Sequence, residues 1–215
     1  MNWRWQIAQW TERRWWQQYL RRQPVAEYLE RKKAYWQRVL KQVEFFPVMN
    51  QRVLDAGCGP AGIFTIFPEH QVVAIDPLVE MYEQDLAHFE RAWYPNVDFR
   101  VAKLEGFEAE YPFDIVFCLN AINHVADIRL AFQHLAKATK AGGTLLLSID
   151  AHNYGVLKAI FQLLPGDVLH PHQYDLAEYQ AMLEEHAFEV EATYCLKQQF
   201  IFNYYLIKAK KKRNY

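Results

Sequence analysis

Val53 to Gly62 reads VLDAGCGPAG, an apolar run closed by an acid and followed by three glycines spaced G-x-G-x-x-G. Glycines at that spacing let the backbone turn sharply out of a strand and approach a ligand closely, so the stretch predicts a strand that ends in a nucleotide-type binding loop. Asp76 stands nineteen residues after Gly57, at the end of the next apolar run QVVAID, where an acid can hold ribose hydroxyls.

Outward from this loop the pattern alternates. A helix is expected around AGIFTIF, a strand at QVVAID, a helix from Leu78 to about Trp93, and a strand at VDFRVA. The near-continuous apolar strand FDIVFCL, a helix from about Ala126 to Ala138, an AGG turn and the strand TLLLSI complete the series. Strands of branched aliphatic residues separated by helices predict βαβ units and a parallel sheet covered on both faces, a Rossmann-like doubly wound fold. After Asp150 a loop rich in His, Pro and Tyr leads to the amphipathic segment DLAEYQAMLEEHA. FEVEATYCL and FIFNYYLIKA then follow with too little chain between them for a parallel crossover, so they must pair antiparallel. The expected fold class is α/β, a mostly parallel seven-stranded sheet ending in an antiparallel hairpin, with an N-terminal helical arm. Residues 1–46 are expected to form the arm and 47–215 the Rossmann-like domain, with 151–186 a substrate-side loop and helix and 187–210 the terminal hairpin.

With 52% apolar and 23% charged residues, a chain of 215 can bury a full core. No apolar run approaches the roughly 20 residues that span a bilayer, and no signal segment is recognisable at the N-terminus, so a soluble, cytoplasmic protein is expected. Cys58, Cys118 and Cys195 form no C-x-x-C pair, which argues against a disulfide framework or a zinc site; no metal is expected.

The net charge of −1 hides an uneven distribution. The first 46 residues carry 10 Lys or Arg against 4 Asp or Glu, the tail KAKKKR adds 5 basic residues, and the stretch between carries 9 basic against 21 acidic. Beyond Pro24, an apolar stripe from Val25 to Val43 recurs at three- and four-residue spacing, with the stem of Lys32 lying along it. Two readings of the arm remain open. It can fold back over the acidic body, or Trp3, Trp5, Trp10, Trp15 and Trp16 with Arg13, Arg14, Arg21 and Arg22 can make an interfacial helix that touches a membrane. Nucleic acid is not an expected partner, because the acidic body repels phosphate.

The loop spacing alone serves NAD and S-adenosylmethionine equally. NAD presents an anionic pyrophosphate to such a loop, whereas S-adenosylmethionine presents an ammonium and a sulfonium. Asp55, placed at the loop mouth, repels the first by several kcal/mol at an effective dielectric near 20 and attracts the second. The terminal hairpin points the same way.

On these motifs the chain resembles the class I S-adenosylmethionine-dependent methyltransferases of small-molecule type. VLDAGCGPAG is similar to the family's first motif and VVAIDPLVEM to its second strand. FDIVFCLNAINHVADIRLAFQHLAKATKAGGTLLLSID is similar to its fourth strand, helix and fifth strand. The resemblance implies that Asp55, Gly57 and Gly59 surround the methionine moiety, with Cys58 a small filler of the same loop. It further implies that Asp76 holds the ribose, that Pro77 and Met81 line the adenine, that Lys103 and Leu104 lie beside the adenine amino group, and that Asn120 returns to the methionine. It departs at 103 and 104, where the family often carries Asp-Ala, so Glu105 or a backbone group must replace the missing acid. The Asn-Pro-Pro-Tyr motif of the nucleobase and amide-nitrogen enzymes is absent, with LNAIN in its place.

Ligands of open α/β sheets bind beyond the carboxyl ends of the strands. Asn123 and His124 after the fourth strand, and Asp150, His152, Asn153 and Tyr154 after the fifth, should therefore face a methyl acceptor. His170, His172 and Tyr174 can close over the same mouth. If the acceptor is a hydroxyl or a carbon acid, a base is useful, and His124, His152 and Tyr154 are the catalytic candidates. The reading is methyl transfer from S-adenosylmethionine to a small, aromatic or partly apolar acceptor, with the Trp-rich arm as a lid. A non-enzymatic module that binds this cofactor, and an NAD-dependent oxidoreductase, are the alternatives.

Overall fold

β1 (Val53–Ala56) is buried along its whole length because it lies in the middle of the sheet. It pairs in parallel with β2 (Val72–Ile75) on one side and β4 (Phe113–Cys118) on the other, and β2 pairs in parallel with β3 (Val97–Arg100). β4 pairs in parallel with β5 (Thr139–His152). The last two strands, β6 (Phe188–Lys197) and β7 (Phe202–Lys211), run antiparallel, β7 lying between β5 and β6. The order is β3-β2-β1-β4-β5-β7-β6, so the sheet is seven-stranded, mostly parallel, and closed by an antiparallel hairpin. The computed structural model describes residues 3–152, 174–199 and 202–213, with side chains from Trp10 onward.

The alternation of side chains along the strands sends Val53, Ala74, Ile115 and Phe117 to one face, and Leu54, Ile75, Val116 and Cys118 to the other. α1 (Trp3–Leu20), α2 (Val25–Gln42) and α3 (Val79–Asp85) cover the first face. The second is covered by α4 (Ile128–Ala138) and α5 (Leu176–Glu185). Both helices on this face start from an aspartate cap: Asp127 accepts the Leu130 N–H at 3.0 Å, and Asp175 forms a capping box with Glu178.

Three elements differ from the sequence reading. The helix expected around AGIFTIF is a single 3₁₀ turn, Ile63–Ile66, because Pro68 disfavours helical backbone at Phe67 and α2 of the arm packs against that turn. The helix expected from Leu78 to Trp93 stops at Asp85; Leu86 is extended and Phe89 turns into the core. The AGG segment is a bulge within β5 rather than a turn before it. Register jumps from Phe113↔Thr139 to Ile115↔Thr144, and a Cβ on Gly143 would lie 2.8 Å from the Lys140 carbonyl oxygen.

The stripe on α2 is anchored by Tyr28, Trp36, Val39 and Leu40, all buried. Polar ties also hold the arm to the body. The Trp36 indole Nε1 donates to the Ala61 carbonyl at 3.0 Å, the His88 ring meets the Gln23 carbonyl at 2.8 Å, and Arg13 pairs with Asp85 at 2.6 Å. Among the described residues no helix is long and apolar enough to cross a membrane, and no group of three His, Cys, Asp or Glu side chains is placed to hold a metal ion.

Candidate active site: a pocket between the strand ends and the arm

Strand order reverses between β1 and β4, so the loops leaving these two strands diverge and open a crevice at their carboxyl ends. There the structure holds a cavity of about 160 Å³. Its floor is the loop after β1, Gly57 to Ala61, flanked by Asp76 and Pro77 after β2, Ala102 to Glu105 after β3, and Leu119 to Ala121 with His124 and Val125 after β4. Its other wall comes from the arm: Glu12, Trp16, Tyr28, Lys32 and Trp36.

Backbone geometry fixes the floor. The Gly57 and Cys58 N–H groups donate to the Ile75 carbonyl at 2.8 and 3.0 Å, tying the loop to the end of β2. Gly57 has φ +74°, and a Cβ there would lie 2.3 Å from the Ala121 Cβ, so only glycine lets the β1 and β4 loops meet. Gly59 donates its N–H to Asp76 Oδ2 at 3.0 Å, while Leu78 N–H and Tyr82 O–H donate to Oδ1 at 2.8 and 3.2 Å. Burial raises the Asp76 carboxyl above the usual carboxylate range, against the pull of these donors. Asn120 also sits at positive φ, +56°. Its N–H donates to Ser148 Oγ at 2.8 Å, and Tyr204 O–H donates to the same oxygen at 2.9 Å, which connects the pocket to β7.

The arm adds charge to aromatic surface. Burial first, and the nearby Asp76 second, push the Glu12 carboxyl up to about 7. Lys32 lies 4.9 Å over the Trp36 ring, and burial lowers its pKa. Trp16 meets Tyr82 edge to face at 6.1 Å and stands over Gly59.

Residues 54–147 match the family model "Methyltransferase domain". A ubiquinone biosynthesis O-methyltransferase of Nitrobacter winogradskyi is 30% identical over 105 residues, 48% of this chain and 40% of that protein. Among solved structures, YcgJ from Bacillus subtilis superposes with a TM-score of 0.66 at 21% identity, covering 83% of this chain and 98% of that one. The 1,6-didemethyltoxoflavin-N1-methyltransferase of Burkholderia thailandensis, solved with S-adenosylhomocysteine, superposes with a TM-score of 0.56 at 16% identity, covering 86% of this chain and 78% of that one. Residues 54–147 thus carry a methyltransferase domain, and the fold is that of the class I S-adenosylmethionine-dependent methyltransferases. The chain spans about two fifths to three fifths of the length of the curated relatives it matches.

The donor set of this methyltransferase pocket fits S-adenosylmethionine, the family's cofactor. Asp76 and Glu12 offer carboxyls to a ribose diol and to a cation, the glycine loop offers close backbone approach, and Trp16, Tyr28, Trp36 and Tyr82 offer apolar walls. A pyrophosphate would instead face two carboxyls.

Of the sequence-designated residues, Gly57, Cys58, Gly59, Asp76, Pro77, Lys103, Leu104, Asn120 and His124 come together around the cavity. Asp55 does not reach the loop mouth. It is 2% exposed, and its Oδ2 accepts the Phe64 N–H at 3.1 Å, so it holds the 3₁₀ turn beneath the loop, with its carboxyl pushed up to about 7 by burial. The discrimination against an anionic ligand that was assigned to Asp55 falls to Asp76 and Glu12. Met81 lies in the hydrophobic core rather than in the pocket wall. Asn123 is buried and accepts the Tyr179 O–H at 2.7 Å, which turns it toward α5 and away from the cavity. His152 is buried with its ring 4.2 Å from Phe202, and its backbone N–H donates to the Tyr174 carbonyl. Tyr174 itself packs edge-on against Tyr179; neither lines the cavity. Asn153, Tyr154, His170 and His172 lie outside the described residues. Glu105, the candidate for the missing adenine acid, lines the cavity while its Oε1 accepts the Ala126 and Asp127 N–H groups at 2.6 and 3.4 Å.

The sequence predicts the Trp-rich arm as a lid but assigns none of the five residues it sets on this wall to the pocket. Two carried a signal: Glu12 is the sole acid in the first 26 residues, and Lys32 interrupts an otherwise apolar stripe. Either pattern marks a charged group placed at a specific inward position.

Proposed function

We propose that the protein transfers the methyl group of S-adenosylmethionine to a small, aromatic or partly apolar acceptor enclosed between the strand ends and the arm. The observation that carries this reading is the size of the cavity with the arm in place. About 160 Å³ is below the roughly 300–1,000 Å³ of an ordinary small-molecule site. Cofactor and acceptor together exceed that space, and an outward swing of α1 on entry, followed by closure over them, would supply the rest. A closing arm encloses a metabolite but not a protein or a nucleic acid. The aromatic lining supplied by Trp16, Tyr28 and Trp36 suits a ring, and the ubiquinone and toxoflavin relatives act on ring-bearing molecules by their names.

S-adenosylmethionine supplies a methyl group activated by its sulfonium, so most of the acceleration comes from holding the acceptor in line with it. Asp76 and Glu12 fix the ribose and balance positive charge. Trp16 and Tyr82 exclude water above the glycine loop, and Asn120, braced by Ser148 and Tyr204, orients the cofactor's methionine end. His124, at the cavity rim, takes the proton of a hydroxyl acceptor.

Calorimetric titration with S-adenosylmethionine, S-adenosylhomocysteine and NAD, followed by turnover assays on a panel of phenols, catechols and cyclic amines, tests the proposal. Micromolar binding of the two adenosyl ligands with turnover of a ring acceptor supports it. NAD binding alone overturns it. Binding of the adenosyl ligands with turnover only on protein or RNA overturns the acceptor assignment. The missing acid at Lys103 favours a second reading, a non-enzymatic cofactor-binding module; adenosyl binding without turnover on any acceptor is its signature.

A further inference from the structure

α1 has two faces, and the pocket uses one of them. Glu12, Trp16 and Leu20 recur at the four-residue spacing of one helix side and turn inward, with Arg13 beside them on Asp85. Outside that inward side, α1 carries Trp10, Arg14, Trp15 and Tyr19, and the turn that follows it carries Arg21 and Arg22, all of them exposed. Trp10 is 53% exposed, Trp15 52% and Tyr19 44%. A soluble core explains the first set. Large aromatic rings held in water beside three exposed arginines have no such explanation.

We propose that this outer face docks on an anionic lipid surface, with Trp10, Trp15 and Tyr19 at headgroup depth and Arg14, Arg21 and Arg22 against lipid phosphates. Tryptophan and tyrosine next to arginine on one side of a helix is the composition that lies in the plane of a bilayer interface. Among the described residues no carboxylate pairs with Arg14, Arg21 or Arg22, while Arg13 has its partner in Asp85. The acidic body does not oppose the contact, because a helix with its side chains is about 10–12 Å across and the Debye length at physiological salt is about 8 Å.

A single-stranded nucleic acid is the weaker partner for the same face. Base stacking needs a free aromatic face. Here the Trp15 and Tyr19 rings already stack on each other at 4.8 Å with 7° between planes, and the Arg14 guanidinium covers Trp10 at 4.1 Å. What remains outward suits headgroups and phosphates. Since the inner face of the same turns walls the pocket, docking places that pocket within one helix diameter of the lipid, so an apolar acceptor would reach it with little passage through water.

The test is co-sedimentation of the full chain with phosphatidylcholine vesicles, with and without 30 mol% phosphatidylglycerol, in about 0.15 M salt. Binding to the anionic vesicles with a blue shift of tryptophan emission is expected. Arg14→Gln/Arg21→Gln/Arg22→Gln should lower the partition coefficient about a hundredfold, roughly fivefold per arginine, and Trp10→Ser/Trp15→Ser should abolish the blue shift. Both variants should keep wild-type circular dichroism and wild-type S-adenosylmethionine affinity, which separates this result from the fate of the methyltransferase reading. Failure to sediment with anionic vesicles, sedimentation unchanged by the arginine substitutions, or tighter binding to a single-stranded RNA oligonucleotide overturns the proposal.

Discussion

The two walls of the pocket are built by different means. The strand-end wall consists of backbone turns locked by the sheet: Gly57 and Cys58 are tied to Ile75, Gly59 to Asp76, and Asn120 to Ser148. The arm wall consists of side chains on two helices whose polar ties to the body are few, the Trp36 indole on Ala61, His88 on Gln23, and Arg13 and Gln17 on Asp85. The first wall is pre-formed, and the proposed closing arm requires that the second can be moved. Substitutions in the two walls should therefore fail differently, by loss of the site in one and by altered charge or exchange in the other.

The largest effect is expected at Gly57. Alanine there combines an unfavourable positive φ with a 2.3 Å approach to Ala121, together about 4 kcal/mol of strain and overpacking. Gly57→Ala should abolish S-adenosylmethionine binding by calorimetry and lower the midpoint of thermal unfolding. Wild-type affinity in this variant would show that the β1 and β4 loops are not locked as the comparison requires.

Beneath the same wall, Asp55 should make stability fall as pH rises. Its folded pKa of about 7 lies above the unfolded value of about 3.9, so between these values the folded state holds the proton that the unfolded state has lost. The stabilisation is complete below the lower value and is lost as pH climbs through the upper one. From pH 5 to pH 8 this amounts to about 3 kcal/mol. Asp55→Asn keeps an oxygen for the Phe64 N–H and has nothing to titrate, so its denaturation midpoint should change much less than that of the wild type over the same range.

These two residues mark what the sequence made legible. Gly57 and Asp76 were readable because strand-loop spacing is local and the sheet converts spacing directly into position. Asp55 was readable as important but not as buried, because only the fold shows the 3₁₀ turn that its carboxylate holds. The helix expected after β1 was misread for a related reason: α2, remote in sequence, packs against the 3₁₀ turn found there. Met81 and Asn123 closely follow the ends of β2 and β4 in sequence, yet their side chains belong to the core and to α5. Glu12 and Lys32 illustrate the converse, charged residues brought to the pocket by tertiary packing alone.

A smaller effect is expected at the arm's charged contribution. Glu12 ionises through about pH 7 and only its carboxylate attracts a cation, so S-adenosylmethionine affinity should rise between pH 6 and pH 8. The affinity of uncharged-sulfur S-adenosylhomocysteine should rise less. Glu12→Gln should lower S-adenosylmethionine affinity at pH 8 about tenfold, the size of one modest charge-assisted contact, and flatten the pH profile. An unchanged profile would move Glu12 out of the cofactor wall.

The smallest effect sharpens the comparison most. If the arm opens for every exchange of cofactor, the ties that close it must be weak enough to break on the timescale of turnover. Arg13 is half exposed and its pair with Asp85 spans α1 and the end of α3, so it contributes at most about 1 kcal/mol to closure. Arg13→Ala removes that pair and leaves Gln17 on Asp85, so the fold and the strand-end wall are untouched. The dissociation rate of S-adenosylhomocysteine, read by stopped-flow tryptophan fluorescence, should rise by roughly threefold while the association rate changes little. If product release limits turnover, kcat rises with it; if methyl transfer limits, kcat stays level and only the exchange rate moves. A dissociation rate identical to wild type would mean that α1 is a fixed wall like the strand ends, and the cofactor would then have to enter past His124 from the β4 side.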